Sequence, residues 1–291
     1  MKKWAVILTG VMLTASLSAC SSNDEAKSDT PATSTSTPST DASATKASEE
    51  TKVPTTKELV QKVTEAGASL KSFSMESTIN QSLTMTVDGK EQKQDISMKT
   101  KQDMVKEPFA MYQEIESNIP GASNGETIKQ YITEDGIYSQ QNGTWVKLPD
   151  ESAKPLLEQM KNAGSPEQQF KQFDSIADQA KVTDEGDTYL LKANLSGDGV
   201  KELAKSFLEQ SEGANAQAAQ LLDQMDIKSM DMSYSVDKKT NYPVDTNVNM
   251  VMTMDVEGQK IDMVMDMKGK ISKHNSIDKI DIPAEVTNSA K

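Results

Sequence analysis

The residues able to carry chemistry are few in this 291-residue chain: one cysteine, one histidine, 44 carboxylates and 17 methionines. Cys20 is the sharpest of them. It follows Met1-Lys2-Lys3, an apolar stretch from Trp4 to Leu17, and the small residues Ser18 and Ala19. Small residues let a signal peptidase grip an extended backbone, and a basic start plus a short apolar core is the form of an export signal. Leu17-Ser18-Ala19-Cys20 has the form of a bacterial lipobox, which predicts cleavage before Cys20 and a diacylglycerol on its thiol. The apolar run falls short of the roughly 20 residues that a permanent span requires. The expected location is therefore the outer face of the bacterial cell membrane, with the N-terminal lipid as the membrane contact.

Enzyme chemistry finds little else to work with. His274 stands alone in the polar run Lys273-His274-Asn275-Ser276, without a companion for a metal or a triad. The carboxylates alternate with apolar residues in strand-like runs, as solvated charges do. Phosphate-binding loops, dinucleotide loops and a Gly-x-Ser-x-Gly elbow are missing. Asp184-Glu185-Gly186-Asp187 lacks the order of calcium ligands and reads as a turn. The expectation is a non-enzyme with no catalytic residue, no metal and no cofactor. With Cys20 the only cysteine, an internal disulfide cannot form. Once Lys2 and Lys3 are removed, 44 acids face 29 lysines and no arginine, a net charge of −15. That balance and the missing guanidinium fork exclude nucleic acid as a partner, and the chain is expected to be a monomer.

Methionine is the unusual component, outnumbering phenylalanine 17 to 5. Met75, Met85, Met98, Met104, Met111, Met230, Met232, Met250, Met252, Met254, Met263, Met265 and Met267 share one phase of period-two patterns, the phase opposite the charges. Met is unbranched and polarisable and conforms to irregular shapes. Two readings stand: a Met-rich core, or a groove for an acyl chain lined by Met75, Met85, Met98, Met230, Met232, Met250, Met252, Met254, Met263, Met265 and Met267. Soft-metal binding is the weaker third, since same-face neighbours on one strand lie about 6.6–7 Å apart and thioethers would have to converge from two strands.

The elements that must position these residues follow from composition and periodicity. Residues 20–54 are Ser-, Thr- and Pro-rich without apolar rhythm, a disordered tether. As a random coil it reaches about 30–35 Å. Thr55 and Glu58 form a capping-box pattern, and Leu59, Val63, Ala66 and Leu70 recur at helical spacing. From Phe73 to Val87, apolar residues alternate with polar ones, Asp88-Gly89 turns the chain, and Ile96, Met98 and Met104 return. Shorter strands are expected around 127–133, 137–140 and 144–148, divided by Asp135-Gly136 and Asn142-Gly143. Leu156, Leu157 and Met160 predict a helix after Asp150; Ser165-Pro166-Glu167-Gln168 starts another, with Phe170, Phe173 and Ile176 inward. After a strand near 189–195, Asp198 caps a helix carrying Val200, Leu203, Phe207 and Leu208, and a further helical run carries Leu221, Leu222 and Met225. Strands through Met230–Val236, Val244–Val256 and Ile261–Ile271 close the chain, the last two joined at Glu257-Gly258.

This predicts a two-layer α+β fold: a large twisted antiparallel sheet with helices over one face. The expected organisation is a signal at 1–19, a tether at 20–54, one domain at 55–285 and a tail at 286–291; the alternative to one domain is two smaller halves joined near Asp150–Ser165. The lipobox, the tether, the helix-and-meander order over Thr55 to Pro283, and the phrase from Tyr138 to Trp145-Val146-Lys147 resemble Gram-positive surface lipoproteins of the DUF6612 type. More distantly, the layout is similar to LolA/LppX-like carriers of lipids and lipoproteins. That resemblance implies a half-open β-barrel whose concave face is covered by helices and holds acyl chains. The functional expectation is an anchored, non-enzymatic binding protein for a lipid or lipoprotein acyl chain. Its alternative is a structural or interaction protein of the cell envelope with a filled core and no ligand.

Overall fold

The computed structural model describes residues 52–290 except 88–89, 121–126, 142, 163–169, 171–172, 198, 201–202, 204–224 and 257–258. Several expectations lie outside these residues: the signal, the lipobox with Cys20, the tether up to residue 51, the dipeptides Asp88-Gly89 and Glu257-Gly258, Asn142, the Ser165 helix start, the Asp198 cap, and Phe207, Leu208, Leu221 and Leu222. Of the expected tether, Lys52 to Pro54 are described, and Pro54 is buried.

Helix α1 (Thr56–Gly67) begins at the expected capping box: the Thr55 hydroxyl accepts from the Glu58 amide, and the Glu58 carboxylate accepts from the Thr55 amide at 2.7 Å. Among the described residues eleven strands follow: β1 (Ser72–Val87), β2 (Lys90–Val105), β3 (Ala110–Asn118), β4 (Thr127–Thr133), β5 (Gly136–Gln141), β6 (Thr144–Lys147), β7 (Ala180–Asp184), β8 (Thr188–Leu195), β9 (Met225–Asp237), β10 (Pro243–Val256) and β11 (Gln259–Ser272). Helix α2 (Asp150–Asn162) lies between the two groups of strands, and α3 (Ala284–Ser289) ends the described chain.

All the strands form one antiparallel sheet in the order β6-β5-β4-β3-β2-β1-β11-β10-β9-β8-β7. Each neighbour is sequential except β1 and β11, whose pairing from Ser74↔Ser272 to Met85↔Ile261 joins two meanders. The sheet is open rather than a closed barrel, and both ends of the strand order meet a helix. At β7 the Thr56 hydroxyl of α1 donates to the Ala180 carbonyl at 3.2 Å, and at β6 the contact is α3. Helices at these places blunt edges that would otherwise invite further pairing. The expected 286–291 tail includes most of α3, whose Val286 is buried.

Two differences from the sequence reading concern β7 and β9. Strand β7 occupies residues to which the sequence assigned no element, except Asp184, read as part of a turn, and Met225, expected in a helix, opens β9. A bulge explains the second: Val251 pairs Ser229 while Met252 pairs Ile227, leaving Lys228 extra. One added residue reverses the phase of a strand, so Met225 and Ile227 face the same way as Met230 and Met232 although their parity differs.

The inner face of the sheet carries two cores. The larger one joins Leu59, Val60 and Val63 of α1, the residues Phe170, Phe173, Ile176, Val200 and Leu203, and the inner positions of β8 to β11. The smaller one joins Leu70, Phe73, Met104, Phe109, Met111, Ile132 and Ile137 with Ala153 of α2. The outer face carries the charges Asp255, Asp262 and Lys268, all three exposed, and beside them the exposed pair Val251 and Val264. Outside the cores, Tyr112, Tyr131 and Trp145 form an aromatic ladder on outer positions of β3, β4 and β6, with centroids 4.7 and 5.6 Å apart. Burial raises the Tyr131 phenol above its ordinary value, and Glu285 of α3 adds to the shift.

Candidate functional site

Antiparallel register aligns inner side chains in rows that cross the strands, with directly paired Cβ atoms about 4.5–5.5 Å apart. Three rows hold eight of the eleven groove candidates. One runs Ile227, Met252, Met263, Leu83; the next Met230, Met250, Met265, Gln81, Ile96; the third Met232, Val248, Met267, Ile79, Met98. The pairing of β10 with β11 continues to Val256↔Gln259, so the two strands are joined by the two residues expected there.

Burial falls along the second and third rows from β10 toward β1 and β2, while the first is buried from Ile227 to Leu83. At the β8–β9 end, Phe170 and Phe173 are fully buried. They meet the Tyr234 ring edge-on, at 5.0 and 5.2 Å between centroids. Burial there also raises the Tyr234 phenol above its ordinary value. Met252 is 1 % exposed, and Met232, Met250 and Met263 are buried with it. Toward β1 and β2, Met265, Met267, Ile96 and Ile261 are only partly buried against the same core, as are Met230 of β9 and Met254 of β10. Ile79, Met85 and Met98 are half-buried as well. The Gln81 amide reaches the Met265 sulfur at 3.8 Å.

The eleven groove candidates are thus not one patch. Met230, Met232, Met250, Met252, Met254, Met263, Met265 and Met267 share the larger core or its margin. Met75 borders the smaller core, whose interior holds Met104 and Met111. Met85 and Met98 sit at the open end of the rows.

Two further rows, absent from the sequence reading, separate the cores. Tyr234, Thr246, Gly269, Ser77, Thr100 and Ile115 form one. Met75, Gln102, Gln113, Gln130 and Ser139 form the other. The Gln113 amide donates to the Gln130 carbonyl oxygen, and the Gln130 amide to the Ser139 hydroxyl at 3.3 Å. All four polar residues of that second row are half-buried. Gly269 is needed where it stands, because an added Cβ would lie 2.6 Å from the Thr246 methyl.

His274 has a structural place. Its Nε2 meets the Pro243 carbonyl oxygen at 3.0 Å, and its ring stacks on Tyr242 with centroids 4.9 Å apart. Burial holds its pKa below the ordinary 6.5, against the opposing pull of the Pro243 carbonyl and Asp237. Among the described residues, no three His, Cys, Asp or Glu side chains gather as a metal site, and no helix is long and apolar enough to cross a membrane. On the opposite, outer face, Lys192, Asn194, Asp231, Ser233, Asn247 and Asn249 line a shallow depression of about 200 Å³.

A family model described as a family of unknown function, DUF6612, matches residues 55–291. No curated protein matches the chain. Among solved structures, LprF from Mycobacterium bovis is similar in layout at 12% identity and a TM-score of 0.38, over 80% of this chain and 99% of that one. An outer membrane lipoprotein-sorting protein domain from Vibrio parahaemolyticus is similar at 10% identity and a TM-score of 0.22, over 73% of this chain and 92% of that one.

Proposed function

The chain belongs to the DUF6612 family, and from that premise we propose that it is a lipid-anchored extracytoplasmic protein that binds the apolar part of a lipid or a lipoprotein acyl chain on its inner sheet face. The observation that carries this reading is the fall in burial along the second and third methionine rows: Met250, Met232 and Val248 are buried, whereas Met265, Met267, Ile79, Ile96 and Met98 are half-buried. A fixed core needs no such loose margin, whereas a flexible thioether surface suits a chain that enters and leaves. Binding needs no catalytic group. Acylation at Cys20 holds the protein at the outer membrane face, and the low-complexity segment before Thr55 spaces the domain from the headgroups.

The burial of Met232, Met250, Met252 and Met263 favours the second reading, an envelope interaction protein with a filled core. Two measurements separate the possibilities. Unacylated mature chain, secreted by its own host and purified without detergent, is analysed by native mass spectrometry. An acyl lipid at unit stoichiometry supports binding; lipid-free protein that also fails to take up a fluorescent fatty acid supports the filled core. The anchor is tested separately with a palmitate analogue, which labels the natural chain and not Cys20→Ala; label on the variant removes the anchor from the proposal.

A further inference from the structure

We infer that the amphiphile held on the inner face has an uncharged head rich in hydroxyl or amide groups, lying against the glutamine row of β2 to β5. This rests on the binding reading above and narrows it.

The first support is the charge pattern of the inner face. In a chain with 26% charged residues, the inner rows from Met225–Met254–Ile261–Met85–Gln92 to Phe73–Met104–Met111–Ile132–Ile137 contain no acid and no lysine. The first inner charges are Lys90 at the tip of the β1–β2 hairpin and Asp184 at the end of β7, both exposed. On the outer positions of the same strands, Glu76, Lys93, Asp95, Lys99, Lys101 and Asp103 follow one another. A carboxylate or phosphate head against these rows would leave water without a cation of the sheet to meet it, and an ammonium would find no carboxylate of the sheet. Desolvating an unpaired charge is strongly unfavourable.

The second support is what replaces charge there. The wing made by β1 to β5 is not simply apolar: Gln102, Gln113, Gln130 and Ser139 make one row, with Ser77 and Thr100 beside it and Gln81 and Gln94 beyond. A Gln amide offers two donors and an acceptor, and a hydroxyl both donates and accepts. The bonded run from Gln113 through Gln130 to Ser139 therefore presents alternating donors and acceptors, which suit an array of hydroxyls. Gln81, bonded to the Met265 sulfur, stands where the methionine row meets this polar wing.

The test compares amphiphiles that share a twelve-carbon chain and differ in the head: dodecyl glucoside, dodecanoate, dodecyltrimethylammonium and dodecanol. Each displaces a neutral fluorescent probe from the full mature chain, below its micellar concentration and in moderate salt. Expected is glucoside binding at least tenfold tighter than either charged compound. The net charge of −15 would by itself favour the ammonium, so an ammonium equal to or tighter than the glucoside overturns the inference. Equal or tighter dodecanoate does the same. In the Gln113→Leu/Gln130→Leu double variant, glucoside binding should weaken about tenfold while dodecanol, which needs only the methionine surface, is unchanged; unchanged glucoside binding overturns the inference. If not even dodecanol binds the natural chain, the binding reading falls and this inference with it. If dodecanol binds and the head makes no difference, the inference alone falls.

Discussion

Truncating Met252 and Met265 to alanine measures how solid the methionine face is. Both changes remove three side-chain heavy atoms from neighbouring rows of the β10–β11 hairpin, where Met252 pairs Met263 and Met265 pairs Met250. Met252 is 1 % exposed and closed in by the larger core. Three buried groups at about 0.8 kcal/mol each give a transfer loss of about 2.4 kcal/mol. The cavity left behind adds to that, for a total of about 3–4 kcal/mol, within the span of large-to-small core changes. Met265 lies at the partly buried margin. About half of its transfer loss applies and no closed cavity forms, so the expected cost is about 1 kcal/mol. The long Gln81 contact to its sulfur at 3.8 Å adds little. Urea unfolding of the full mature chain reads both values from the midpoint at an unchanged slope. If Met265→Ala costs as much as Met252→Ala, the margin is a closed core. Should the natural chain also refuse a fluorescent fatty acid, the binding reading is abandoned for the filled core.

Three other outcomes are expected. Gly269→Ala should destabilise by about 1–3 kcal/mol through overpacking against the Thr246 methyl 2.6 Å away, and adding Thr246→Ser should restore part of the loss in melting temperature; no rescue would place the strain elsewhere. Thr55→Ala removes the capping box of α1 and should cost about 1 kcal/mol, read as faster amide exchange in the first turn. For His274, burial lowers the folded-state pKa below 6.5, so the unfolded chain binds the proton more readily. Its contribution is present above 6.5 and declines as pH falls from there toward the folded pKa. His274→Gln should flatten that part of the stability profile relative to the natural chain, and parallel profiles would contradict it.

Period-two alternation was enough to tell the dry side of β1, β2 and β11, and of the methionine run in β10. Period two puts Met250, Met252 and Met254 on one face and Asp255 on the other. A one-residue slip would bury Asp262 and Lys268, and that cost pins the register. The Thr55–Glu58 cap was equally legible, because it depends on residues three apart. So was the helix after Asp150, through the spacing of Leu157 and Met160. Each of these rests on local geometry.

What lay beyond local geometry was decided by the tertiary structure. Pairing Ser74 with Ser272 joins chain ends that no short-range pattern connects, and this pairing makes one sheet of two meanders. The bulge at Lys228 interrupts the alternation that would have extended β9 back to Met225. Helix α1 and Phe170 reach the same core from distant parts of the chain, and in that core Met252 is closed in while Met265 stays at the margin. Gln102, Gln113, Gln130 and Ser139 are scattered along the chain as ordinary polar residues; only the pairing of β2 with β3, β4 and β5 places them side by side. Burial and cross-strand neighbours are properties of the assembled sheet, so a methionine's role as filler or as lining is set by what packs over it, which its own sequence neighbourhood does not encode.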